Sequence, residues 1–204
     1  MPKGFTEYER DLIRERLLDE GYRQFSAYGL KKTTVEELAA AVGISKGAFY
    51  LFYPSKEALL MEVVEEKVEK RFRLEMLASV DQPGASSRSR LLALLKNAVA
   101  LFRTVPLLKT FTGSDYDLLF RRLPRERMRK HLAADRVFSE ALIARCRDAG
   151  IPIQVPAEAL SGLLYILIVS IMHEGELGSN GFGPAVDVML ELIAAYCVGE
   201  VALE

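Results

Sequence analysis

Apolar residues recur along this chain at three- and four-residue intervals, the spacing of one face of an α-helix, and nowhere alternate as a half-buried strand would. The pattern predicts an all-α protein. A helix is expected from Thr6 to Tyr28, with Leu12, Ile13, Leu17, Tyr22, Phe25 and Ala27 inward and Gly29 stopping it. Val35, Leu38, Ala39 and Val42 mark a short second helix, capped by Thr33 or Thr34, with Glu36 and Glu37 at the positive end of its dipole. Gly43 ends it. Ser45 caps a third helix carrying Lys46 to Phe52, and Pro54 closes that one. Helix, glycine turn and helix is the geometry that places a recognition helix in the DNA major groove.

The pattern continues beyond. Ser55 to about Val80 reads as one long helix with a stripe of Leu59, Leu60, Val63, Val64, Val68, Phe72, Met76 and Leu77. Its other face carries charge pairs such as Glu66–Lys70 and Glu69–Arg73. Residues 81–89, DQPGASSRS, form the clearest loop. Helices are then expected over 90–103, 107–111, 116–123 and 124–149, with Gly150 and Pro152 ending the last. After a linker between Pro152 and Pro156, residues 157–174 are apolar on nearly every side, which calls for burial on nearly every side. A glycine-rich loop, 175–184, leads to a final apolar helix over 186–198. Two such helices in succession suggest a hairpin pairing with its copy in a second subunit, against the alternative of a wholly intramolecular core.

The stretch GISKGAFYLFYPSKEALL resembles the DNA-binding signature of the tetracycline-repressor (TetR) family of one-component regulators. Gly43, Ile44, Ser45, Lys46-Gly47-Ala48, Phe49-Tyr50, Leu51-Phe52-Tyr53, Pro54-Ser55 and Lys56-Glu57 carry the likeness in order and spacing. It covers about the first quarter of the chain. It implies an N-terminal three-helix DNA-binding domain, 1–54, and a larger helical ligand-binding and dimerisation domain, 55–204. It also implies a homodimer through the two C-terminal helices, a palindromic double-stranded DNA operator and a small-molecule effector.

Residue roles follow from that likeness together with side-chain chemistry. Lys46, the long polar side chain at the tip of the third helix, is the first choice for a base contact, to guanine O6 and N7. Gly47 and Ala48 are small enough to let the backbone sit deep, and the Ala48 methyl suits a thymine methyl. Tyr50, Thr34 with its neighbour Thr33, and Lys56 resemble the family's phosphate contacts. Val35 stands where a longer reading residue is found in some members, so a base there goes unread or is sensed by its methyl. Phe52 and Tyr53 depart from the family's usual aromatic order. With Ser45, these residues complete the expected DNA-binding set. Phe49 is expected in the core. For the effector, pattern alone offers Phe111, Tyr116, Phe138, Tyr165, Met172 and His173.

Composition bounds the rest. With 204 residues, half of them hydrophobic, the chain can bury an ample core. Its 27 basic and 28 acidic residues leave a net charge of −1, so any nucleic-acid affinity must come from locally concentrated charge. Cys146 and Cys197 are too few for a disulfide scaffold, have no CxxC spacing and no His beside them, and read as buried reduced thiols of a cytosolic protein. The opening MPKGFTEYERD has no apolar signal core, and residues 159–172 are too short a run to span a bilayer, so a cytoplasmic location and no membrane partner are expected. Two histidines, His131 and His173, without clustered cysteine or aspartate predict no metal site. No Ser/His/Asp set or phosphate loop predicts catalysis, and no cofactor is expected. The expected function is ligand-responsive transcription control, as a repressor released by its effector. The alternative is an all-helical small-molecule binding protein or enzyme that only borrows the fold.

Overall fold

The computed structural model describes residues 5–110, 113–174 and 182–201. Among them every regular element is helical. The chain divides into two compact units, one of residues 1–71 and 105–123, the other of residues 72–104 and 124–204. The first unit thus takes in more than the 1–54 assigned to DNA binding.

In the first unit, α1 (Glu7–Lys32) starts at a reciprocal cap. The Glu9 amide donates to Thr6 Oγ1 at 3.2 Å and the Thr6 amide to Glu9 Oε2 at 2.8 Å. Gly29, at φ 76°, breaks the helical path three residues before its end, which is the glycine stop expected there. Ile13, Leu17, Gly21 and Phe25, spaced by four, form its buried edge. Gly21 is there because α4 (Lys56–Val63) comes close: a Cβ at that position would lie 3.1 Å from Val63 Cγ2 and 3.3 Å from Leu59 Cδ2. Arg14 bonds Glu62 at 2.8 Å across the same seam. The short α7 (Pro106–Thr110) also lies on α1, where Thr110 Oγ1 donates to the Phe25 carbonyl at 2.9 Å. Helix α8 (Gly113–Arg122) completes the unit.

The long helix expected over 55–80 is helical but not uniform. After α4, residues Val64–Glu69 form a π-helical turn before α5 (Lys70–Ser79). The buried positions register the change, since Val63 is followed by Val68 at a spacing of five, which an α-helix would not keep on one face.

In the second unit, α6 (Ser87–Thr104), α9 (Arg125–Asp148), α10 (Ala157–Met172) and α11 (Phe182–Cys197) enclose one apolar core with the last residues of α5. Helix α6 begins three residues earlier than the loop reading placed it. Gly150, at φ 78°, ends α9, and the Ile151 amide turns back to the Cys146 carbonyl at 2.9 Å. The linker to α10 is tied down by Arg147, which donates to the Ile153 carbonyl at 2.7 Å, and by the Gln154 amide on the Cys197 carbonyl at 2.8 Å. Both cysteines are free and buried, and burial pushes each thiol up to about 11.

One expectation fails within a single chain. Helix α10 is not buried on nearly every side, because Tyr165 and Ile166 are exposed. On α11, Val188 and Leu192, one turn apart, are each 58% exposed. Among the described residues no helix is long and apolar enough to cross a membrane.

Candidate nucleic-acid interface

The frame of the helix-turn-helix is built by small hydrogen bonds. Helix α2 (Val35–Ala41) starts at a second reciprocal cap, in which the Glu37 amide donates to Thr34 Oγ1 at 3.2 Å and the Thr34 amide to Glu37 Oε2 at 3.0 Å. Gly43, at φ 79°, turns the chain, and the Ile44 amide reaches back to the Ala39 carbonyl at 3.0 Å. Ser45 Oγ then accepts from the Ala48 amide at 3.1 Å and opens α3 (Lys46–Phe49). Helix α3 is shorter than the 46–52 expected. Residues 50–52 continue as turns, held by the Leu51 and Phe52 amides on the Ala48 and Phe49 carbonyls. Leu38, Ala39 and Phe49 are buried beneath, as the pattern required of Phe49.

The predicted DNA-binding residues separate into two groups. Lys46, Gly47 and Tyr50 are exposed at the tip, with Ala48 half-buried beside them and Thr34 exposed at the head of α2. Gly47 faces open space, with only Ser45 Oγ within 4 Å of where a Cβ would stand. Lys46 Nζ lies 2.6 Å from Glu36 Oε1, both side chains being exposed. The ammonium holds the Glu36 carboxyl below its ordinary range, and the carboxylate raises Lys46 in return. Glu36 is the neighbour that helical spacing within one element does not disclose.

Of the others, Ser45 is exposed as the cap of α3, Thr33 and Tyr53 are buried, and Val35, Phe52 and Lys56 are half-buried. Thr33 is fully buried and its hydroxyl donates to the Gly29 carbonyl at 2.9 Å. Tyr53 is buried at 4% exposure with its ring 5.9 Å from Phe49, and burial pushes its hydroxyl up. Phe52 lies 5.8 Å from the Phe5 ring, with the Arg10 guanidinium 5.4 Å from its centroid. Val35 is half-buried. Lys56 Nζ donates to the carbonyls of Leu30 and Thr33, each at 2.7 Å, and so clamps the end of α1 to the start of α2.

The second unit contains a cavity among α5, α6, α9 and α10, with an empty volume of about 670 Å³ counted out to its opening. Met76, Leu95, Ala98, Phe138 and Leu164 are among its walls, and no polar atom faces its interior. Of the six expected effector residues, Phe138 lines it. Tyr165 is turned to the surface, and Met172 and His173 are half-buried outside its walls. Phe111 and the side chain of Tyr116 lie outside the described residues. Apart from Phe138, the sequence marked the walls only as core. His131 Nε2 stands 3.7 Å from Asp135 Oδ2, an acidic neighbour the sequence reading did not assign to it.

The model of the bacterial regulatory proteins of the tetR family matches residues 17–63, which span the second half of α1, the helix-turn-helix and α4. The uncharacterised HTH-type transcriptional regulator YuxN of Bacillus subtilis is 37% identical over 87 residues, 41% of this chain and 30% of YuxN. The chain thus matches less than a third of that relative's length. Solved structures extend the likeness of fold over the whole chain. Thermus thermophilus FadR, a TetR-family transcriptional repressor in complex with lauroyl-CoA, aligns with TM-score 0.62 and 23% identity, covering 94% of this chain and 96% of that one. A TetR-family regulator from Mesorhizobium loti aligns with TM-score 0.57 and 19% identity, covering 98% and 100%. Residues 17–63 thus carry the DNA-binding region of the tetR family of bacterial regulatory proteins, and the chain as a whole has the fold of solved TetR-family regulators.

Proposed function

We propose that this protein is a ligand-responsive transcriptional regulator that binds a palindromic operator as a homodimer, represses from it, and leaves it when a small molecule fills the cavity of the second unit. The observation that carries the reading is the tip of α3, where Lys46, Gly47 and Tyr50 stand exposed on a frame fixed by the Ser45 and Thr34 caps. Lys46, Gly47 and Ala48 meet base edges, and Thr34 and Tyr50 meet phosphates. Thr33, Tyr53 and Lys56 hold the frame from behind, since their polar groups are buried or bonded to backbone carbonyls. Residues 1–54 carry the DNA contacts, and 55–204 carry effector binding and dimerisation.

The exposed apolar faces of α10 and α11 support the dimer, since Tyr165, Ile166, Val188 and Leu192 would be covered by the same helices of a second copy. Such a dimer must present its two α3 tips about 34–36 Å apart, one turn of duplex. Effector binding disfavours that spacing with a coupling of about 1–3 kcal/mol. The FadR relative holds lauroyl-CoA, which supports a ligand for the helical unit of this chain as well. A regulator of this kind works in the cytoplasm, beside its operator.

Selection of bound duplexes from a random library, followed by titration of the Lys46→Ala and Tyr50→Phe variants, tests the reading. The expected result is a palindromic site and weaker binding by both variants. Recovery of no duplex at low salt, with or without ligand, would favour the alternative of a binding protein or enzyme that only borrows the fold.

A further inference from the structure

We infer that the cavity of the second unit selects a neutral, unbranched aliphatic chain. The inference deepens the proposed function, because it rests on reading that cavity as the effector site.

Three observations carry it. The walls offer no hydrogen-bond donor or acceptor to a ligand, and the Cys146 thiol among them stays protonated. A charged group drawn inside would lose its water and gain no partner. The two guanidiniums that act on that thiol bond elsewhere: Arg90 donates through Nη1 to the Ala149 carbonyl at 2.9 Å, its buried Nε being left without a partner, and Arg145 bonds Asp81. Arg73, which stands over the Phe138 ring at 5.6 Å, bonds Asp135 at 2.8 Å. The cations around the walls therefore do not converge on the interior as they would for a carboxylate or phosphate.

The third observation is shape. Wall residues run along α10 from Leu160 to Ile171 and along α6 from Leu91 to Val99. At 1.5 Å per residue these stretches are roughly 16 Å and 12 Å long. The lining thus extends along about three turns of α10 and about two of α6. That form fits an extended chain better than a fused ring.

Calorimetric titration of the full-length protein with n-alkanols from hexanol to dodecanol tests this. Affinity is expected to rise about fourfold per added methylene, equivalent to about 0.8 kcal/mol, until the chain outgrows the cavity. Decanoate and decylammonium are expected to bind at least about tenfold more weakly than decanol. Ala98→Leu, which adds bulk to the wall, should abolish alkanol binding with its melting temperature retained. Leu95→Ala should shift the optimum toward longer chains, and it decides the matter if Ala98→Leu does not fold. Affinity independent of chain length overturns the inference. So does decanoate binding as tightly as decanol, 1-naphthol binding more tightly than decanol, or an optimum unmoved by Leu95→Ala.

DNA release, followed separately by fluorescence anisotropy, keeps the two readings apart. Alkanols that bind the cavity but leave the operator occupied would support the ligand class and defeat the effector reading. Release by another compound, with no alkanol bound, would do the reverse.

Discussion

At the scale of single residues, the surface proposed to face DNA is a small set of side chains that the frame leaves unburied. Lys46 is the one with the reach and charge to read a base. Replacing it with alanine should cost about 1–3 kcal/mol on the selected operator and relax the preference at one base pair, measured by competitive titration against single-base variants. Lys56 behaves differently. Its ammonium satisfies the Leu30 and Thr33 carbonyls, and charge-assisted bonds of this kind contribute about 1.5–3 kcal/mol. Lys56→Met should therefore lower the melting temperature, whereas Lys46→Ala should leave it unchanged. The caps also have a pH signature. The Thr6 backbone and hydroxyl hold the Glu9 carboxyl below its ordinary value. A depressed carboxylate stabilises the fold above its unfolded-state value, and that contribution disappears as pH falls through the lower, folded value. Glu9→Gln should lower the neutral plateau of a melting-temperature profile slightly, change its acid end little, and so flatten the limb between them.

At the scale of elements, two features decide how the first unit is assembled. Gly21 sets the approach of α1 to α4. Gly21→Leu would drive a side chain into Val63 and Leu59, and overpacking of this kind costs about 1–3 kcal/mol, readable as a shift in urea midpoint. Gly29, in the left-handed region, ends α1 so that Thr33 and Thr34 can take their places before α2. A Cβ there would meet only the Thr110 carbonyl oxygen, at an ordinary contact of 3.6 Å, so the strain of Gly29→Ala is conformational rather than steric. The π-helical turn at Val64–Glu69 offsets the apolar stripe by one residue between Val63 and Val68. It leaves both valines buried.

At the scale of the whole molecule, the prediction concerns association. Val188 and Leu192 are apolar, adjacent and uncovered within one chain. An arginine at Leu192 should convert a dimer into a monomer in sedimentation analysis without unfolding it. It should also reduce operator affinity far more than a single lost contact would, because two half-sites must be held at once. A monomeric wild-type protein would defeat both the dimer and the spacing argument.

The sequence by itself determined the parts governed by local chemistry. The helices follow from periodicity, several of their ends from Thr6, Ser45, Gly29, Gly43 and Gly150, and the helix-turn-helix from residue types in register over Gly43 to Glu57, with the cap of α2 left between Thr33 and Thr34. These signals act between residues a few positions apart, so they can be read along a line. Only the tertiary structure decided what depends on distant neighbours. It turned Thr33, Tyr53 and Lys56 inward and set Glu36 against Lys46. It left Tyr165 at the surface and gathered Met76, Leu95, Phe138 and Leu164 around an empty space. A leucine that fills a core and one that lines a cavity have the same periodicity. What separates them is the atoms absent on the far side, and those belong to helices from elsewhere in the chain.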